Sequence, residues 1–186
     1  MNPRSQRGAS VVAVKVPDMP LINQLAHVLM AVEAATIHRR WLATRPQDYA
    51  DQVRSRIEPG LFYPATRYLE ALSMRAGIVR EFIDTALAGA DVLHLPTIPI
   101  PVPTIEETTG GDAARVAKII GVIGHCTRGI NYLGLPAITV PMGFTRNGLP
   151  AGFQLAGRPF AEALLLRTAD AYQRVTDWHR KAPALQ

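Results

Sequence analysis

Cysteine is nearly missing from this sequence: Cys126 stands alone in 186 residues, so no disulfide can form within the chain and a disulfide-stapled secreted scaffold is excluded. Serine is scarce too, confined to Ser5, Ser10, Ser55 and Ser73. None of the four sits in the glycine-flanked strand-to-helix turn that exposes a hydroxyl for acyl transfer, so a G-x-S-x-G nucleophile elbow is excluded. The apolar runs are interrupted by proline, glycine or charge short of the roughly 20 residues a membrane span needs. No transmembrane helix is expected, and the first residues show no apolar stretch of secretory type. A cytoplasmic protein is the expectation. Aromatic residues make up 6%, and no basic run is interleaved with them. The net charge of +5 is spread thinly over both halves, with Arg39-Arg40 the sole adjacent arginine pair. A phosphate-tracking groove has no local support, and no nucleic-acid partner is expected.

With 48% apolar and 19% charged residues, the composition is that of an ordinary globular domain. A chain of this length buries roughly 70% of its unfolded surface. Residues 1–186 read as one unit without an internal boundary. The β-branched run Ala9–Val16 predicts a strand ending at Pro17. Asp18 is a candidate N-cap for a long amphipathic helix in which Leu21, Leu25, Val28, Val32 and Ala35 recur toward Trp41. A shorter helix fits Pro46 to about Ile57, stopped by Glu58-Pro59-Gly60. Next, Leu69, Leu72, Ala76, Val79, Ile83 and Ala86 keep i+3/i+4 spacing, closed by Ala88-Gly89. Asp91–Leu95 reads as a buried strand running into Pro96–Pro103, where four prolines in eight residues forbid helix and predict a stiff extended loop. Asp112 caps a helix through Ile123, an irregular stretch follows over Gly124–Asn131, and Ala137–Val140 with Phe153–Leu155 flank Asn147-Gly148 as a hairpin with a primed turn. Leu165, Ala169 and Tyr172 mark a closing helix before Trp178. The fold class is α/β, a mixed β-sheet flanked by helices.

His125-Cys126 puts a base beside a thiol, but adjacent side chains point apart and no third group orients the base; a small packed cysteine is the simpler reading. The five histidines (His27, His38, His94, His125 and His179) form neither H-E-x-x-H nor a C-x-x-C-supported set, and His27 and His38 lie about 16 Å apart along one helix. No metal site is expected. Gly110-Gly111 and Gly121/Gly124 match neither a P-loop nor a dinucleotide fingerprint, so no cofactor is expected. Pro96-x-x-Pro99 could serve as a polyproline II ligand, yet it follows directly on a buried-type strand. A loop leaving the end of a sheet strand, where open α/β sheets bind ligands, is the better picture.

The segment Asn131-Tyr-Leu-Gly-Leu-Pro-Ala-Ile-Thr-Val-Pro-Met-Gly-Phe144, followed by Gly148-Leu-Pro-Ala-Gly-Phe-Gln-Leu-Ala-Gly-Arg-Pro-Phe160, closely resembles the carboxy-terminal part of the amidase signature family. Asp91–Thr97 and the Ala171–Trp178 stretch extend the match on either side. Gly8–Pro17, Glu33–His38 and Val53–Gly60 look like the middle region of the same family, so the resemblance covers nearly the whole chain. The resemblance implies a partial amidase-signature fold and the hydrolysis of carboxylic amides, which the family performs with a serine nucleophile, a second serine in a cis peptide and a lysine. No Gly-Gly-Ser-Ser-Gly-like run occurs here, and Lys15, Lys118 and Lys181 have no signature serine to serve. No catalytic residue is therefore carried over.

By the same resemblance, the Pro96–Pro99 loop and the Thr127–Asn131 turn face the place where an amide substrate sits. Thr97, Ile98, Thr127 and Asn131 are the substrate-binding candidates; the alternative for each is satisfying nearby backbone groups. Arg128 and Arg158 are candidates for contacting a carboxylate, against a plain surface position. The leading expectation is a carboxy-terminal portion of an amide-bond hydrolase, inactive alone, whose small-molecule amide is a partner of the complete enzyme. The alternative is a non-catalytic binding or assembly protein that associates with itself or with a separately encoded partner carrying the missing catalytic part, because a sheet lacking neighbours leaves open edges. No membrane partner is expected.

Overall fold

In the computed structural model, which describes residues 8–182, the longest element is helix α1, Met19–Thr44, and it begins where its cap requires. The Asp18 carboxylate accepts the Leu21 amide at 3.0 Å, and Pro20 occupies the first turn, where its missing N–H costs nothing. Ile22, Leu25, Ala26, Val28, Leu29, Ala31 and Ala35 of α1 are all buried. That set is wider than one helix stripe, so α1 is a central helix packed on several sides rather than a surface one. By length and composition α1 also reaches what a bilayer crossing needs, contrary to the reading of interrupted runs. In this fold Ile22, Leu25, Ala26, Val28 and Leu29 of α1 pack into the core shared with α3 and α6, while Leu21, Ile37 and Trp41 are exposed.

After a single turn at Pro46–Asp48, helix α2 spans Asp51–Ile57 and gives way to a tight turn at Glu58–Leu61. Helix α3 runs Ala65–Ala86. Its core face is Ala71, Ile78, Phe82 and Ala86, one step round from the expected stripe, and Leu69 and Leu72 are exposed. Hydrophobic spacing gives weight to bulky apolar residues, whereas contact is set here by small ones. Fully buried Ala71 lets α6 approach closely enough for the Tyr132 hydroxyl to donate to the Ala71 carbonyl at 2.6 Å.

Strand β1, Val92–Pro96, leads into the extended proline loop, as expected, but only Leu93 in it is buried, so it is not the buried strand the sequence suggests. Helix α4, Ile105–Thr109, lies outside the elements expected from spacing; Thr104 and Glu107 form a reciprocal capping box whose T-x-x-E spelling is present in the sequence. Helix α5 spans Ala113–Ile123 from the Asp112 cap. The expected irregular stretch after it is instead helix α6, His125–Leu133. Gly124 and Gly129 suggest breaks, yet only Gly124 separates the helices. Gly129 is a crossing point: a Cβ there would lie 2.7 Å from Met19 Cε. Gly134, at φ +68°, ends α6 with its amide bonded to the Ile130 carbonyl at 3.1 Å.

Strands β2, Ala137–Phe144, and β3, Pro150–Gly157, form the expected hairpin. Its turn is not the primed type: Gly148 has φ +75° but Asn147 does not have positive φ, and the Gly148 amide bonds the Thr145 carbonyl at 3.0 Å. Helix α7, Glu162–Gln173, closes the fold.

The strands run in the order β1-β3-β2. The α/β class with flanking helices stands; within these three strands every pairing is antiparallel, so mixed character is not expressed in them. Residues 9–16, expected as a strand, are in no strand and mostly exposed. The cause is a lack of partners: among the described residues β1 pairs with β3 alone, and the 9–16 segment passes its outer side across a cavity of about 530 Å³. The sheet lies between two cores. On one side Leu93 and Ala156 join α1, α3 and α6; on the other Val140, Phe153 and Leu155 pack on Leu165 and Ala169 of α7.

Candidate functional site

The period-2 alternation of the strands decides which residues share the face turned toward α6. Thr139 of β2 is opposite Gln154 of β3, and Gln154 is opposite Leu95 of β1. Gln154 is buried, and its amide donates to the Cys126 carbonyl at the start of α6 at 3.1 Å. Just past β1 the Thr97 amide bonds the Gly152 carbonyl at 3.4 Å, and the Thr97 and Thr139 hydroxyls meet at 3.4 Å. Thus a sheet face that is apolar at Leu93 and Ala156 turns polar at Gln154, Thr139 and Thr97, where the proline loop departs. Gly152 sits among them, and a Cβ there would come 3.1 Å from Thr139 Cγ2 and 3.6 Å from Thr97 Oγ1. Its absence leaves the polar end open.

The structure brings Thr97 and the first turn of α6 to this one face. Thr127 and Asn131 share a side of α6 by their i,i+4 spacing. The Thr127 hydroxyl bonds the Gly124 carbonyl at 3.4 Å, Asn131 is exposed, and Ile98 is exposed in the loop. Sequence reading overlooked Thr139 and Gln154; the polar pair inside otherwise apolar strand spellings was the available signal. Arg158 is an exposed residue whose guanidinium is tethered by donating to the Leu87 carbonyl at the end of α3. Burial pushes the Cys126 thiol up, away from thiolate character, which agrees with a packed cysteine.

The histidines are dispersed. His38 Nδ1 pairs with the Tyr49 hydroxyl at 2.8 Å, and the His94 ring lies 4.9 Å from that of Phe153. Among the described residues no group of three or more His, Cys, Asp or Glu is placed to hold a metal.

A separate cleft of about 570 Å³ lies between α1, α2, α5 and α6, and none of the four candidates lines it. His27 is on its wall, with Arg56 and Arg128. Burial, then Arg128, then Arg56 hold the imidazole below its ordinary value of 6.5. With the folded value lowered, the unfolded chain binds more protons at pH below 6.5. Stability should therefore fall as pH drops from 6.5 through the folded value and level off beneath it. Urea midpoints across that range should slope less in His27→Gln than in the parent; equal slopes would show that His27 does not titrate this way.

A family model described as amidase matches residues 5–166. Among curated proteins, a Glutamyl-tRNA(Gln) amidotransferase subunit of Chloroflexus aggregans is 34% identical over 202 residues, covering 97% of this chain and 40% of that protein. An amidase of Pseudomonas putida is 34% identical over 179 residues, covering 96% and 38%. Among solved structures, a crystal structure of an amidase superposes with a TM-score of 0.76 at 26% identity, over 92% of this chain and 38% of that one. A 6-aminohexanoate cyclic dimer hydrolase complexed with substrate gives a TM-score of 0.78 at 21% identity, a likeness of fold, over 98% and 41%. The chain spans about 40% of the length of the relative from Chloroflexus aggregans.

Proposed function

Because the chain belongs to the amidase family, we propose that it forms the carboxy-terminal portion of an amidase-signature hydrolase of amide bonds, supplying core and one wall of the substrate pocket. The serine and lysine chemistry of the signature is then contributed by sequence other than these residues. The observation that carries this reading is the polar end of the sheet. Buried strand positions normally carry apolar residues, so buried Gln154 stands out where the stiff loop leaves the sheet, and half-buried Thr97 and exposed Thr139 beside it give that end a polar surface open to a ligand. Thr97 and Thr127 present hydroxyls that can both donate to an amide carbonyl and accept from an amide nitrogen. Ile98 gives apolar contact beside them, and Asn131 extends the same side of α6.

The purified chain should release no ammonia from simple amides such as benzamide, since removing a nucleophile and its base leaves only residual binding effects. Turnover by homogeneous protein would overturn this. A chimera in which this chain replaces the matching segment of the Pseudomonas putida amidase should hydrolyse its amide. In it Thr97→Val should lower kcat/KM by about tenfold, the cost of roughly one hydrogen bond to the substrate. An active chimera indifferent to that change would remove Thr97 from the pocket.

Among the described residues β1 pairs with β3 alone, and with the exposed Phe62, Leu69 and Leu72 this favours a second reading, association with a further copy or a separate chain. Light scattering after size exclusion tests it: a concentration-independent monomer of about 20 kDa would count against it.

A further inference from the structure

The apolar stripe that spacing assigns to the inside of α3 is the one the fold leaves outside. The core takes Ala71, Ile78, Phe82 and Ala86. Leu69, Leu72 and Ala76 lie on an exposed face beside it, and Val79 and Ile83 are half-buried at the far end of that face. The 100° step of a helix puts the two stripes about a quarter-turn apart, so α3 carries a second apolar face that its own core does not use. Along the chain Ala65, Leu69, Leu72, Ala76, Val79 and Ile83 are separated by steps of four, three, four, three and four residues. That is the 3.5-residue period of a seam between two paired helices, not the wider stripe of a helix lying on a domain core. None of the six is polar. Phe62, 82% exposed just ahead of α3, extends the seam by a further step of three.

The order of sizes along the seam decides what fits it. Reversed about the level of Met74, the stripe matches itself: Leu72 comes level with Ala76 of a second copy, Leu69 with Val79, and Ala65 with Ile83. Each larger side chain meets a smaller one, which lets facing helices interdigitate. The rims agree with this. Arg75 would face its own copy across the axis, but its guanidinium is folded back, with Nη2 2.6 Å from where a Cβ on Gly134 would stand. On the other rim Arg80, in no ion pair among the described residues, comes within two residues of the level of Glu70 on the second copy, a match of opposite charge.

We propose that α3 is the contact of a symmetric dimer of this chain, two copies of the Ala65–Ile83 seam packed antiparallel across a two-fold axis. This deepens the association reading above, on which it rests, by naming the partner as a second copy and the contact as the Leu69-Leu72-Ala76 face. The seam is about 27 Å long, and a helix pair of that length covers on the order of 1,000 Å² in total, at the lower limit of specific interfaces. A reversible dimer with a Kd on the order of tens of micromolar follows. At low micromolar concentration the chain is then mainly monomeric.

Sedimentation equilibrium of the full chain between about 5 and 300 µM should show monomer giving way to dimer. Leu69→Glu and Leu72→Glu each put a carboxylate into a layer between the two helices and should weaken dimerisation by about tenfold or more. Both side chains are exposed, Leu69 the more so, and Leu69→Glu keeps the fold even where Leu72→Glu does not, as far-UV circular dichroism at low concentration will show. Cross-linking reads the direction of the helices. In a Cys126→Ser background, Ser73→Cys places a thiol beside its own copy near the axis, and a short bismaleimide should join the two chains. Thr66→Cys, on the same rim, places its thiols about 24 Å apart along the antiparallel pair and should not be joined. A chain that stays monomeric up to about 300 µM would overturn both this inference and the association reading. A dimer that keeps its parent affinity in Leu69→Glu, or one joined through Thr66→Cys as readily as through Ser73→Cys, leaves association standing and overturns an antiparallel α3 pair as its contact.

Discussion

Gly60→Ala is expected to lower the stability of the chain by about 3 kcal/mol or more, at the upper end of what overpacking costs, because the obstruction is backbone. A Cβ at Gly60 would lie 2.0 Å from the Ala31 carbonyl oxygen, 2.4 Å from its carbon and 2.8 Å from Ala35 Cβ. Side chains escape such conflicts by changing rotamer; the middle of a 26-residue helix does not. The turn at Glu58–Leu61 would have to lift away from α1, taking α2 with it. Gly60 does not have the positive φ that would add a conformational cost, so the loss measures contact alone. Gly77 is the control. It lies inside α3 with nothing within 4 Å of a built Cβ, and Gly77→Ala should raise stability by about 0.5–1 kcal/mol through helix propensity. Urea unfolding followed by circular dichroism separates the two. Similar midpoints for both variants would mean that the 58–61 turn is not seated on α1.

Gly60 also shows what could be read from the sequence and what could not. Glu58-Pro59-Gly60 is legible as a helix stop, since proline and glycine act locally. That the glycine is also a seat for α1 depends on residues some thirty positions earlier, and nothing local records it. The same division holds elsewhere. Asp18, Asp112 and Gly148 act on their immediate neighbours, and the elements they start or turn are legible, although Gly148 makes a different turn from the one expected. α6 is not legible because Gly129, a helix breaker by propensity, is required where Met19 and Ile22 cross it. The 9–16 segment has strand composition without a strand, because pairing needs a neighbour and β-propensity alone does not provide one.

At the site, Thr97, Thr127 and Asn131 entered through a family resemblance. Thr97 and the start of α6 come to the same sheet face only because Thr97 follows β1 onto Gly152 and Thr139, and Gln154 beside Thr139 reaches the Cys126 carbonyl. No spacing within the sequence carries the register of β1 on β3, strands that lie more than fifty residues apart. The cationic cleft is invisible in the sequence for the same reason: His27, Arg56 and Arg128 come from three helices and have no motif in common.

Phe82→Ala is expected to cost about 4 kcal/mol, the transfer of a buried phenyl ring plus the cavity it leaves. Phe82 is 1% exposed and belongs to the core that joins α1, α3, α6 and β1, whose backbones are held by further contacts and cannot collapse into the space. Since domains of this size are stable by roughly 5–15 kcal/mol, the variant should remain folded with a much lower urea midpoint or unfold outright. Leu69→Ala, on the stripe that hydrophobic spacing assigns to the core, should shift the midpoint little, about 0.5 kcal/mol, because Leu69 is 58% exposed. The pair therefore decides which face of α3 is inside. If Leu69→Ala costs as much as Phe82→Ala, the Leu69–Leu72 face is covered in solution, and sedimentation at two concentrations tells how. A cost that grows with protein concentration means that a second copy covers it, because binding stabilises the folded form by mass action. A cost independent of concentration means that the chain itself covers it, and α3 is then turned with Leu69 and Leu72 toward the core.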